Sequence, residues 1–172
     1  MRTNLVLAAV IAFAAPSAAH AAGAGGRSIS DFFLGHLVAD GTYQDLRAGS
    51  NRHVHVDIHG SQRGQAFVVS TNTSFSDGER RNKTWTFKPA GPGRYIGYRP
   101  DLIGTASAQV NGDAIDLTYR AHVPAKDGKA YDLNFVERYV VRGLGELDNT
   151  MRITFLFVQV GEAHLAIHKA GG

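Results

Sequence analysis

The sequence predicts an all-β protein, a single antiparallel up-and-down β-barrel of about nine or ten strands. Three observations carry that expectation. From Phe32 onward, apolar and polar residues alternate in short runs, the period of strands with one buried face. Turn residues such as Asp77-Gly78, Gly91-Pro92-Gly93 and Asn111-Gly112 punctuate the runs, at roughly the 8–12-residue spacing of all-β folds. Helical periodicity is confined to Ile29 to Phe33. So many strands on short turns imply a meander that closes on itself, because closure removes exposed edges.

Taken in order, the chain begins with the layout of a cleaved export signal over residues 1–21. Arg2 is the positive start, Leu5 to Ala15 the apolar run, and Ala19-His20-Ala21 the small-x-small cleavage site near Ala21. The roughly 11 apolar residues fall short of the ~20 that a membrane span needs, so no integral span is expected and the mature chain is placed in the periplasm. Residues 22–31 read as a flexible small-residue tether and residues 32–169 as the barrel domain. The chain has no cysteine, which excludes disulfides and a lipid-modified cysteine. Stability must come from the core.

Removing Arg2 from 18 basic and 15 acidic residues leaves 17 against 15, a net charge of +2. The charges are scattered, with none of the basic stripes of a nucleic-acid surface, so no nucleic-acid partner is expected.

Each run then assigns an inward face. Leu37, Ala39, Gly41 and Tyr43 alternate with Val38, Asp40, Thr42 and Gln44, and Val54, Val56 and Ile58 with His53, His55, Asp57 and His59. Phe67, Val69, Thr71, Thr73 and Phe75 share a face. In the run from Glu79 to Pro89, Arg81, Lys83, Trp85 and Phe87 face one way and Asn82, Thr84, Thr86 and Lys88 the other, which sets two cations beside the only tryptophan. Further runs are Arg94 to Arg99, Ile103 to Val110, Ile115 to Val123, Tyr131 to Val141, Asn149 to Phe157 and Val160 to Lys169. The large apolar residues on one face (Trp85, Phe135, Phe155) and polar ones on the other indicate a soluble barrel, since a membrane barrel reverses the two.

Inward polar residues are the informative exceptions, because an unpartnered polar group costs several kcal/mol to bury. Glu137 shares a face with Tyr131, Leu133, Phe135 and Tyr139, and Asn149 with Met151, Ile153 and Phe155. The pattern predicts that Lys83 and Glu137 meet inside the barrel, with Tyr119, Tyr139 and Asn149 completing a polar lining near Trp85. A few polar groups among aromatics are how a barrel orients a small amphipathic ligand. The alternative is a self-satisfied ion pair, or Lys83 reaching to the rim. His53, His55 and His59 with Asp57 form a row on the outward face, where a solvated strand surface accounts for them and no metal is expected. No helix follows the glycine-rich turns to make a phosphate loop, and no serine sits in a nucleophile elbow, so neither a cofactor nor a catalytic residue is assigned.

From Phe32 to Lys169 the chain resembles the bacterial DUF3833 family. The shared pieces are Phe32-Phe33-x-Gly35-x-Leu37, Gly41 with Gln44-Asp45, Val56-Asp57-Ile58-x-Gly60, Phe75-x-Asp77-Gly78-Glu79, Trp85-Thr86, Gly93-Arg94-Tyr95-x-Gly97 and Asp101-x-x-Gly104-x-Ala106. Gly112-x-Ala114, Tyr119, Pro124, Asn149 and Val160-Gly161-Glu162 complete the set. The resemblance implies a lipocalin-like barrel without an assigned activity. It also suggests envelope lipid as the ligand class, because the family's genes often lie near genes for modifying membrane fatty acids. The chain departs from the family at Val136-Glu137-Arg138, where an Asp-Asp-Trp run is usual, at Thr73 in place of an acidic residue, and at Lys83 in place of arginine. The lipocalin Gly-x-Trp signature is missing at Gly35-His36-Leu37.

The expected function is carriage of a small apolar or amphipathic molecule, such as a fatty-acyl lipid, bound by Lys83, Trp85, Tyr119, Glu137, Tyr139 and Asn149. Protein partners are not readable. The alternatives are an isomerase or lipid-modifying enzyme using Glu137 as acid or base, and an envelope structural protein with a filled core.

Overall fold

Each alternating run becomes a strand, and the last strand finds the first. In the computed structural model, which describes residues 26–125 and 128–171, a short helix precedes ten strands. These are α1 (Ile29–Phe33), β1 (Gly35–Asp45), β2 (Ser50–Arg63), β3 (Ala66–Phe75), β4 (Arg80–Pro89) and β5 (Arg94–Tyr98). β6 (Ala106–Asn111), β7 (Ala114–Pro124), β8 (Ala130–Gly143), β9 (Glu146–Phe155) and β10 (Val158–Lys169) follow. Every strand pairs antiparallel with its sequence neighbours, and β10 closes on β1 from Leu37↔Lys169 to Asp45↔Gly161. The predicted closed meander is therefore the fold. Residues 1–21, read as the export signal, and 22–25 of the tether lie outside the described residues.

The inward faces are those that the alternation assigned. Leu37, Ala39, Val54, Val56, Ile58, Phe67, Val69, Trp85, Phe87, Ile115 and Leu117 are buried in one cluster. The outward faces carry ion pairs such as Arg138–Asp116 and Arg142–Asp148, each at 2.5 Å. This is the reverse of a lipid-facing barrel wall, and no described helix is long and apolar enough to cross a membrane.

One end is stoppered by α1. Its entry is set by Asp31, whose Oδ2 accepts the Ser28 amide at 2.6 Å, and it buries Ile29, Phe32 and Phe33. Full burial of such side chains contributes about 1.5–3 kcal/mol each. Ile29, Ser30 and Asp31 fall within the stretch read as tether, but the four-residue spacing of Ile29 and Phe33 places both on the face that meets the barrel. The stopper depends on Gly60, because a Cβ there would lie 1.8 Å from the Phe33 carbonyl oxygen.

The wall is incomplete toward the other end, the mouth. β4 pairs with β5 only from Thr86↔Tyr98 to Pro89↔Tyr95, so its mouthward half has no ladder partner on that side. The chain leaves the sheet after Tyr98 and returns at Ala106, later than the expected strand start at Ile103. The intervening loop is fastened instead to β7: the Ile103 amide donates to the Arg120 carbonyl and the His122 amide to the Asp101 carbonyl, both at 2.9 Å. Pro100, which cannot donate to a ladder, and Gly104, at a φ of +80°, explain why the loop is not strand.

Candidate functional site

The lumen between α1 and the mouth holds a cavity of about 540 Å³. Apolar lining comes from Val54, Val56, Ile58 and Phe75 on one side and from Phe135, Met151, Ile153 and Leu165 on the other. Lys83, Trp85, Tyr119, Glu137, Tyr139 and Asn149, the residues singled out in the sequence, all line this same space.

They do not pair as expected. Lys83 and Glu137 form no ion pair; each has found a nearer partner. Glu137 on β8 stands opposite Leu117 on β7, which makes Tyr119 its diagonal neighbour, and Tyr139 lies two residues along its own strand. Tyr119 donates its hydroxyl to Glu137 Oε1 at 2.6 Å, and Tyr139 donates to Oε2 at 2.5 Å. Burial first, and then the Glu137 charge, push both phenols well above their ordinary pKa. Glu137 is 8% exposed and Asn149 3%, and Asn149 Nδ2 donates to the Arg138 carbonyl at 3.4 Å.

Lys83 turns to the gap between β4 and β5, where Asp101 Oδ2 accepts its Nζ at 2.5 Å. Its side chain is 35% exposed, so the expectation that it reaches outward is closer than the expectation that it meets Glu137. Asp101 is shared with Arg99, which sequence reasoning missed. Arg99 Nε donates to Asp101 Oδ1 at 2.5 Å, and the guanidinium lies 4.3 Å from the Trp85 ring centre and 5.0 Å from that of Tyr119. Burial opposes the Arg99 charge, but the hydrogen bond to Asp101 and the charge of that carboxylate outweigh it and raise its pKa. At Asp101, burial pulls upward and the Arg99 and Lys83 donors more than reverse it, so its carboxyl sits below the usual range.

The result is a polar stripe crossing an apolar lumen. Two cations share one carboxylate at the wall gap, and Tyr119 joins that group to Glu137. Trp85 packs edge-on to Tyr119 at 5.0 Å and stacks on Phe87 at 5.3 Å, and Tyr119 stacks on Phe135 at 4.6 Å. These rings hold the polar atoms in place, and Trp85, Tyr119 and Phe135 border the cavity.

Above the stripe, a charged collar rings the mouth. Arg52 donates to Asp77 at 3.1 Å and to Glu79 at 2.6 Å, while its guanidinium covers Phe75 at 4.2 Å and Tyr43 at 4.9 Å. Arg81, expected deeper beside the indole, instead bonds Glu79 at 2.6 Å in this collar. An outer vestibule of about 390 Å³ shares Tyr43, Glu79, Arg81 and Leu133 with the lumen, so the two adjoin.

The histidine row lies outside. His55 Nδ1 is 2.8 Å from Asp40, and His59 stacks on His36 at 4.3 Å.

Residues 7–169 match the family described as "Protein of unknown function (DUF3833)". The chain belongs to the DUF3833 family. No curated protein sequence matches it. Its lipocalin-like barrel is similar to that of an S-type phycobiliprotein lyase from Guillardia theta, with a TM-score of 0.63 and 10% identity over 85% of this chain and 94% of that one. It is also similar to Rv2717c from M. tuberculosis, with a TM-score of 0.58 and 16% identity over 81% and 93%. At such identities the likeness is one of fold, and the stripe of Arg99, Asp101, Lys83 and Glu137 belongs to this DUF3833 chain's own residues.

Proposed function

We propose that this protein is an exported carrier, its barrel holding one small amphipathic molecule of the fatty-acyl class. The observation that carries the reading is the cavity of about 540 Å³, apolar on two sides and crossed by one polar stripe. That size falls within the ~300–1,000 Å³ of small-molecule pockets. The apolar tail packs against Val54, Val56, Phe135, Met151 and Leu165, and the polar head lies at Lys83 and Arg99. The fold likeness to a phycobiliprotein lyase supports ligand carriage in general.

A filled-core structural protein fits a cavity of this size poorly. Acid–base catalysis by Glu137 is also less well supported. Both carboxylate oxygens already accept phenol hydrogens, which holds the group still, whereas a general base needs reach to a substrate proton.

The test is organic extraction of the purified barrel followed by mass spectrometry, with Trp85 fluorescence as the reporter of re-binding. A fatty-acyl compound that is recovered, re-binds and competes at one site supports carriage. Its absence, together with no fluorescence response to added long-chain fatty acids, overturns it.

A further inference from the structure

The hairpin joining β9 to β10 turns on Leu156 and Phe157, whose φ angles are 46° and 72°. Among the described residues these are the two non-glycines in the left-handed region, which is unfavourable for a side chain with a Cβ. Tight hairpins of this kind ordinarily use Asn-Gly. Here the turn holds apolar side chains out in solvent: Leu156 is 71% exposed, Phe157 101% and Val158 65%.

The tip stands on the mouth rim. Next to it Leu46, itself exposed, donates its amide to the Val160 carbonyl at 3.0 Å. Arg47 follows, its guanidinium 5.6 Å from the Tyr131 ring centre, and Tyr131 packs edge-on to Phe155 at 5.6 Å. Among the described residues Arg47 makes no ion pair. The neighbouring Asp45 is occupied by the Arg47 and Ala48 amides, both at 3.0 Å. Asp132, beside the tip, is held by His122 at 2.5 Å and Arg120 at 3.7 Å. The rim therefore presents an apolar point next to Arg47, a cation with no ion-pair partner among the described residues.

We infer that this tip inserts into the acyl boundary of a phospholipid bilayer, with Arg47 on the lipid phosphates, and so sets the barrel mouth against the membrane surface. The shape favours a bilayer over a protein. A stable protein interface needs about 800 Å² on each side, whereas three side chains on a two-residue turn make a point. Apolar insertion combined with a cation at the headgroups is how peripheral proteins hold to lipid. The inference is independent of what occupies the lumen.

The test uses residues 22–172, which carry the whole closed barrel and omit the apolar Leu5–Ala15 run, in co-sedimentation with vesicles. Binding is expected to vesicles of phosphatidylglycerol and phosphatidylethanolamine, and more weakly to phosphatidylcholine alone. The double change Leu156→Asn with Phe157→Gly suits the backbone better, so its melting temperature should rise by about 2–4 °C while vesicle binding drops at least about tenfold. Arg47→Ala should lower binding to the anionic vesicles by about fivefold and leave phosphatidylcholine binding as it was. No binding to either vesicle, or equal binding by the double variant, overturns the inference. So does a concentration-dependent dimer that the double variant abolishes while vesicles do not bind, which makes the tip a self-interface.

Discussion

Arg99 and Asp101, two residues apart in a loop that has left the sheet, form a 2.5 Å ion pair inside the barrel wall. The loop is pinned to β7 by backbone bonds at Asp101 and Ile103, and Lys83 reaches across the β4–β5 gap to the same carboxylate. A break in the ladder is thus closed by charge where backbone hydrogen bonds are missing. It is also where the lumen's polar stripe meets the outside.

Arg99→Met should destabilise the barrel by about 2–3 kcal/mol, short of the ~3–5 kcal/mol of a fully enclosed pair, because Asp101 keeps some contact with solvent. Combining it with Asp101→Asn should cost less than the sum of the two, since Asp101→Asn alone leaves the buried Arg99 guanidinium without its carboxylate and the double change removes that charge. Urea unfolding of the two single variants and the double variant measures this directly.

Lys83→Met should separate binding from folding. Lys83 is a third exposed and its pair with Asp101 is backed up by Arg99, so stability should fall by under about 1 kcal/mol. Removing a cation from the proposed head-group position should weaken fatty-acid binding by about tenfold, or 1.4 kcal/mol. Trp85 fluorescence titration reads the binding and thermal melting reads the stability.

Tyr119→Phe should cost about 1.5–3 kcal/mol, the value of a hydrogen bond to a charged group, because it strips one of the two phenol donors from buried Glu137. Glu137→Gln should cost about 1–3 kcal/mol, since an amide nitrogen then confronts a phenol that had been donating. If catalysis is the function, the Gln variant loses turnover as well as stability; carriage predicts loss of stability alone.

Stability should fall off on both sides of neutrality, for different groups. At Asp101 and Glu79 burial acts upward, but their arginine and lysine donors leave both folded pKa values depressed. Their contribution is present above the unfolded carboxylate pKa of about 4 and is lost as pH falls below it toward the folded value. Tyr119 and Tyr139 are shifted the other way, by burial and then by Glu137. Their contribution is present below the unfolded phenol pKa of about 10 and is lost as pH rises above it. Unfolding midpoints measured across pH should show both losses, and Arg99→Met should reduce the acid one.

Gly60→Ala should loosen the stopper. Its Cβ would overlap the Phe33 carbonyl, a backbone atom that cannot turn aside, so α1 must lift. A cost of about 1–3 kcal/mol is expected, with faster amide exchange in α1 as the local signature.

Alternation along the chain was enough to assign the inward face of each strand, because a one-residue slip would turn a whole apolar set into water. Tyr95, Gly97 and Arg99 share one parity, so the same rule aims Arg99 inward, and Asp101 stands in a family motif. The signal was in the sequence, because the expected run includes Arg99, although the strand itself ends at Tyr98. The pairing of Lys83 with Glu137 failed for a different reason. Face says only that two side chains enter the lumen, whereas register decides which neighbours they meet.

The sequence by itself determined a cysteine-free, all-β chain with aromatic and charged residues on its inner faces, because those properties follow from local period and composition. Tertiary structure alone decided that β5 leaves the sheet early, that Asp101 rather than Glu137 receives Lys83, and that two phenols hold Glu137. Those outcomes depend on which strands lie side by side and how far apart they stand, and no count along one strand contains that distance.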